Sequence, residues 1–373
     1  MKNNTKIQKG AVLISPSRFP PRSGGAEYTK RALMTIGRGY KEIYVIRLKG
    51  YPLNIPSDGE YEISGFGGAG ILFLEFNLDY LAKVFRLIRL VKKKWCNKPV
   101  DIQVLLNGPF GAIVTYVISK IIGAESVYIA HNVEKERCFT ESVTYNEKRI
   151  LPILKWIIAL LEYLATKFGQ IIAISHEDKK KFMEMYNVSP EKIVVVPPKI
   201  PEIYFLPRNK PNKKADTPVV VFHGTYTYLP NREGMELIRK YISKRIRHAQ
   251  FVVFGSNAPQ FAKDNFKSFG FVDDLYEFLS SCDIAIVPLK RGSGVKLKIL
   301  DYMAVGLPIV TTKKGAEGLE LVNGKHATIV DDVDEEFIKA IEQLIENPKL
   351  RRKMGYNIKK LAMKKYKVTW NGG

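Results

Sequence analysis

Between residues 288 and 301 the chain reads Pro288-Leu289-Lys290-Arg291-Gly292-Ser293-Gly294-Val295-Lys296-Leu297-Lys298-Ile299-Leu300-Asp301. A serine between glycines at the mouth of a helix offers backbone N–H groups to an anion, and Lys296 and Lys298 add cations at the same spot. A cation beside the partial positive charge of a helix N-terminus costs a few tenths to about 1 kcal/mol, so lysines concentrated there point to an anionic ligand. Lysines solvated on the outer face of the helix are the plainer alternative. Asp301 stands seven residues after Gly294. At about two helical turns it faces the same side, where its carboxylate suits a ribose diol; an ordinary surface carboxylate is the other reading.

A second glycine pair, Gly24-Gly25, ends a Pro-rich loop before a helix expected from Ala26, and either approaches an anion or merely turns the chain. Gly65-Phe66-Gly67-Gly68-Ala69-Gly70 spells G-x-G-x-x-G. Residues 71–74 nevertheless read as a strand where a helix should open, and no acid follows at ribose distance, so a dinucleotide is not expected. His176, His223, His248 and His326 have no metal-binding spacing. Asp332-Val333-Asp334 spells D-x-D, but before Glu335-Glu336-Phe337 it reads as the capped acidic start of a helix. No metal is expected. Cys96, Cys138 and Cys282 are odd in number with no C-x-x-C, which suggests neither a disulfide framework nor a thiolate zinc site and suits a reducing cytoplasm.

These loops need elements to hold them. Apolar runs at 11–14, 43–46, 102–106, 127–130, 171–174 and 193–196 alternate with helical patterns, a Pro-rich segment crosses 197–218, and strands resume at 219–222, 251–254, 284–287 and 308–311. Helices are expected near 231–246, 273–281 and 294–305. The pattern is α/β, two doubly wound parallel-sheet domains facing across a cleft, with ligands beyond the carboxyl ends of the strands. Domains are expected at 1–198 and 199–350, with a C-terminal helix in 351–373 packing back toward the first.

The 373 residues are 46% hydrophobic and 26% charged, which excludes a wholly disordered or collagen-like chain. A formal charge of +22, spread over both halves, invites an acidic partner. Within residues 80–100, Lys83, Arg86, Arg89, Lys92, Lys93, Lys94 and Lys98 occur without an acid, while Leu81, Val84, Phe85, Ile88 and Trp95 recur at helical spacing. Such a helix either rests on anionic lipid or packs on a core with a solvated basic side. No secretory signal or membrane span is expected, and nucleic acid, lacking any zinc-finger or RNP-like pattern, is not an expected partner.

Several segments together resemble the retaining glycosyltransferases of family 4. They are Phe222-His223-Gly224-Thr225-Tyr226-Thr227-Tyr228-Leu229-Pro230-Asn231, Gly270-Phe271-Val272-Asp273, the run from 288 to 308, and Thr311-Thr312-Lys313-Lys314-Gly315-Ala316-Glu317-Gly318-Leu319. In the first half they are joined by Pro20-Pro21-Arg22-Ser23-Gly24-Gly25, Ala130-His131-Asn132-Val133-Glu134 and Ala173-Ile174-Ser175. The resemblance implies the GT-B fold of two Rossmann-like domains, the first for an acceptor and the second for a nucleotide sugar. It implies retaining, metal-independent transfer to a hydroxyl of a glycan or lipid-linked acceptor in polysaccharide biosynthesis, with no cofactor. A cytoplasmic chain is expected from its cysteines, and peripheral contact with anionic membrane is what the lipid reading of residues 80–100 would add, with a lipid-linked acceptor to match. Gly24 and Gly25 then approach the donor diphosphate from the first domain, and Gly292, Gly294 and Lys296 from the second. Gly224, Ser293 and Lys298 join the donor set, Asp301 meets the ribose, Phe271 and Val272 line the base, and His131 faces the donor sugar near the reacting carbon.

The chain departs from the family pattern twice. The two-glutamate signature E-x7-E falls on Ser293 and Asp301, and the Arg and Lys pair many relatives carry after the second domain's first strand is not evident, leaving Lys296, Lys298 or Arg291 as substitutes. Nucleotide-sugar epimerisation would need an acid and base pair that the sequence does not display. A non-enzymatic basic protein binding membrane or nucleic acid is the remaining alternative.

Overall fold

The computed structural model describes residues 8–15, 31, 40–48, 57, 59–63, 78–95, 100–140, 144–145, 148–149, 152–206 and 217–368. The chain divides into two compact units, Met1–Ser142 with Arg149–Pro197, and Val143–Lys148 with Pro198–Gly373.

In the first unit β1 (Gln8–Ser15), β2 (Glu42–Leu48), β3 (Gly59–Ile63), β4 (Val100–Asn107), β5 (Glu125–Ile129), β6 (Gln170–Ala173) and β7 (Ile193–Val195) form one sheet. Its order is β3-β2-β1-β4-β5-β6-β7, and every neighbouring pair is parallel. Parallel strands are covered on both faces, which is why β1 and β4 read as nearly unbroken apolar runs. Strand order reverses between β1 and β4. The sheet is flanked by α1 (Leu78–Trp95), α2 (Ala112–Ile122), α3 (Glu134–Thr140), α4 (Pro152–Ala165) and α5 (His176–Tyr186).

Helix α1 is the basic amphipathic segment, and most of its apolar stripe is occupied, Phe85 remaining 58% exposed. Tyr80, Val84, Leu87, Ile88, Val91 and Trp95 are buried in the first unit's core. Trp95 lies so close to Gly10 that a Cβ there would sit 2.7 Å from the indole. Of the two readings of residues 80–100, the core-facing helix with a solvated Lys and Arg side is the one the packing supports.

The second unit repeats the plan with β8 (Val219–His223), β9 (Gln250–Phe254), β10 (Phe261–Lys263), β11 (Phe266–Phe269), β12 (Ile284–Val287), β13 (Ile309–Thr312) and β14 (Thr328–Val330). The order is β10-β11-β9-β8-β12-β13-β14, parallel except for the edge hairpin β10–β11, and it reverses between β8 and β12. Its longer helices are α6 (Leu229–Leu237), α7 (Leu275–Ser280), α8 (Leu297–Val305), α9 (Glu335–Glu346) and α10 (Pro348–Lys365). The helix expected through 231–246 begins earlier and passes through a π turn at Ile238–Ile242. The helix expected from 294 starts at Leu297, because Gly294 takes φ 66°. Helix α10 packs on α8 and α9, and a strand pair just beyond it joins Lys367–Val368 to Ile200–Pro201 of the same unit. Among the described residues no helix is long and apolar enough to cross a membrane.

Candidate functional site

In the first unit, side chains from three strand ends meet at the sheet's reversal. Asn107, the last residue of β4, donates from Nδ2 to Ser15 Oγ at the end of β1 over 2.7 Å. His131, just beyond β5, has Nε2 2.5 Å from Asn107 Oδ1. Because that oxygen only accepts, Nε2 carries the proton and donates. Burial pushes the imidazole down to about 4, so the ring is neutral near pH 7. Asn107 was not singled out from sequence, although a polar residue closing the apolar run of β4 was its signal.

The turn after His131 is held from below. Glu162 of α4, fully buried, accepts the backbone N–H groups of Glu134 at 2.7 Å and Lys135 at 2.9 Å, and the hydroxyls of Tyr128 and Tyr186. Four donors converge on one carboxyl. Burial, and next the charge of Glu134, still push it up to about 7. Gly24 and Gly25, the segment Gly65 to Gly70 and the strand expected at 71–74 lie outside the described residues.

In the second unit the loop 288–296 leaves β12 at the reversal and turns through Gly292 and Gly294, at φ 123° and 66°. Lys296 precedes α8 rather than lying in its first turn. Its ammonium is fixed in place. Its Nζ donates to the carbonyls of Gly292 at 3.2 Å and Gly294 at 2.6 Å, and lies 3.5 Å from Glu317. Ser293 is half-buried on the same bend.

Lys298 enters the interior. Its Nζ donates to Asn231 Oδ1 at 2.6 Å and sits 3.9 Å from the centre of the Phe222 ring. Gly224 leaves room for this pair: a Cβ there would lie 2.6 Å from Asn231 Nδ2 and 2.9 Å from Lys298 Nζ. Burial first, and then the neighbouring Lys296, hold this ammonium well below the ordinary lysine range. Both lysines are buried, so the solvated-face reading does not hold.

Asp301 is also buried, not a surface carboxylate. Its Oδ1 accepts from Tyr276 Oη at 2.8 Å, and its Oδ2 lies 3.6 Å from His223 Nε2. Tyr276 stacks on Tyr204 with ring centres 3.8 Å apart, while the backbone N–H of His223 donates to Tyr302 Oη at 3.0 Å. Phe271 and Val272 follow β11, the first exposed and the second half-buried against the core. Arg291 is answered by both carboxylate oxygens of Glu233, which makes it a poor substitute for the missing cation pair. Asp334 accepts the N–H groups of Glu336 and Phe337 and so caps α9, while Asp332 pairs with Lys290. Asn231, Tyr276 and Glu317 were not assigned roles from sequence; Asn231 and Glu317 stood inside quoted motifs, whereas Tyr276 gave no signal.

One cavity of about 500 Å³, lined by Gly306, Arg351, Tyr356 and Lys359, lies at the other end of α8 and contains none of these residues.

Comparison with known proteins bears on the family and the fold. Residues 42–201 match the model described as Glycosyltransferase Family 4, and residues 217–347 match Glycosyl transferases group 1. No curated protein sequence matches the chain. HepE from Anabaena, solved in complex with UDP-glucose, superposes with a TM-score of 0.69 at 14% identity, over 96% of this chain and 95% of that one. Sucrose-phosphate synthase from Thermosynechococcus elongatus gives 0.68 at 16% identity, over 96% and 95%. WaaG, a glycosyltransferase involved in lipopolysaccharide biosynthesis, gives 0.61 at 16%, over 95% of each. Two Rossmann-like domains of GT-B type, the first matched by the family 4 model and the second by the group 1 model over most of their lengths, establish that the chain is a glycosyltransferase of the family 4 type.

Proposed function

We propose that the chain moves a sugar from a nucleoside diphosphate sugar to a hydroxyl of a glycan or lipid-linked acceptor, with retention at the anomeric carbon and without a metal ion. The observation that carries this reading is the buried lysine pair on the glycine bend at the reversal of the second sheet. Departure of a nucleoside diphosphate builds charge on its oxygens, and fixed cations and donors stabilise that charge without reorganising. Lys296 holds the bend in shape through the Gly292 and Gly294 carbonyls. Lys298 is a buried amine whose hydrogen-bond acceptor is a neutral amide and whose carboxylate neighbour is Asp301, and a diphosphate adds counter-charge that favours its ammonium form. Asp301, oriented by Tyr276, accepts from the ribose diol, and the exposed Phe271 ring offers a face to the base. His131, neutral and donating to Asn107, orients the donor sugar rather than protonating it.

The complexes of HepE with UDP and UDP-glucose make a uridine donor the first to try, and the part WaaG plays in lipopolysaccharide biosynthesis supports a lipid-linked acceptor. The test is a donor screen with UDP-, GDP- and ADP-sugars in the presence of a chelator, following nucleotide release and the anomeric proton of the product. Release from one donor with retained configuration is expected, and Lys296→Ala should lower turnover by at least about a hundredfold with circular dichroism unchanged. An inverted product, a requirement for metal, or a Lys296→Ala variant at full rate would each overturn the corresponding part.

A further inference from the structure

At the end of the second sheet opposite the glycine bend, the cavity of about 500 Å³ lies between α10 and the C-terminal end of α8. Asp283 and Pro308, the residues just before β12 and β13, belong to its lining. Ligands of such sheets ordinarily sit beyond the carboxyl ends of the strands, so the fold alone does not account for a cavity here. Two glycines bring the helices together: Gly306 ends α8 at φ 76°, and a Cβ on Gly355 would overlap the Gly306 carbonyl. Arg352, Tyr356 and Lys359, spaced by four and then three residues, share the face of α10 that lines the cavity, with Arg351 beside them.

The helices do not explain these cations. A helix N-terminus favours acids, yet α10 opens with Lys349, Arg351, Arg352 and Lys353 and no acid. Asn347 already caps it, accepting the backbone N–H of Leu350 at 2.9 Å. Arg351 has a structural task, donating to the carbonyls of Leu344 and Ile345 at 2.7 and 2.6 Å and so closing α9. Arg352 and Lys359 have no hydrogen bond or ion pair among the described residues. The stem of Lys359 packs by Gly306, and burial holds its ammonium below the ordinary lysine range. Asp283, the one acid in the lining, accepts the backbone N–H of Val219 at 2.8 Å, and no ion pair links it to these cations.

We propose that this cavity binds a phosphate monoester of about the size of a sugar phosphate. Arg352 and Lys359 take the phosphate oxygens, and Tyr356, 66% exposed, offers its ring to the remainder of the molecule. A phosphate monoester carries a charge of about −1.5 to −2 at pH 7 on three acceptor oxygens, and so answers two cations where a carboxylate answers one. Cavities of roughly 300–1,000 Å³ are those that enclose small molecules.

Calorimetry on the full chain saturated with UDP, at physiological salt, tests this with glucose 6-phosphate as the probe and glucose as the control. The ester should bind and glucose should not. Arg352→Gln combined with Lys359→Gln should weaken the ester at least about tenfold, with circular dichroism and UDP affinity unchanged. Lys298→Met should leave the ester's affinity as it is. A wild type that does not bind the ester, equal binding of glucose, or a double variant that keeps full affinity would each overturn the proposal, as would loss of the ester in Lys298→Met, which would place it on the glycine bend. The cavity contains none of the residues assigned to the donor, so its failure leaves the transfer reading to stand or fall on the donor screen.

Discussion

Lys298 is a buried cation that the fold tolerates rather than needs, since its ammonium is held low and its acceptor is an amide. Lys298→Met keeps the stem over Phe222 and removes only the charge. A charge-assisted hydrogen bond contributes roughly 1.5–3 kcal/mol, so UDP affinity by calorimetry should fall about ten- to hundredfold; unchanged affinity would remove Lys298 from the site. His131 carries the pH prediction. Its folded value of about 4 lies below the ordinary 6.5, so its contribution to stability is whole above pH 6.5 and is lost as pH falls toward 4. The full loss is about 3 kcal/mol. Glu162 acts in the opposite direction: raised from 4.5 to about 7, its contribution is present below pH 4.5 and fades as pH rises through 7. His131→Gln keeps a donor for Asn107 and does not titrate. Urea unfolding from pH 7 to 4 should show the wild type losing more stability than this variant, whereas parallel curves would contradict a buried neutral ring.

At the scale of elements, the strands were legible because a sheet covered on both faces demands apolar runs, and β1, β4, β8 and β12 supply them. The hairpin β10–β11 was missed because β10 is an exposed edge whose three residues, Phe261 to Lys263, show no apolar run, and the turn depends on Asp264 at φ 54°. The candidate loop was legible in its glycines, not in what fixes them. Nothing in a sequence says that Lys296 will turn back onto its own loop carbonyls, or that Tyr276, twenty-five positions before Asp301, will hold that carboxylate. Gly292 tests the loop as an element. At φ 123° an added Cβ is strained by on the order of 1–3 kcal/mol and meets Tyr228 Oη at 3.3 Å, so Gly292→Ala should weaken UDP binding while leaving the far-UV spectrum unchanged. Full affinity in this variant would show that the bend tolerates another path.

At the scale of the molecule, each unit has its own core. Val12, Leu87 and Phe182 belong to the first unit, and Phe222, Ile286 and Phe337 to the second. Every described residue placed here at the nucleotide, from Gly224 to Asp301, belongs to the second unit, while His131 belongs to the first. A ligand stabilises only what folds to bind it, by about 2.7 kcal/mol at a hundred times its dissociation constant. Denaturant unfolding of the full chain, followed by far-UV circular dichroism, should therefore resolve two transitions, and UDP should move one of them and leave the other in place. Limited proteolysis at the midpoint identifies the protected half, which should be residues 217–368. A single transition shifted as a whole would mean that the two cores unfold together, and protection of the first unit alone would move the diphosphate site away from the glycine bend.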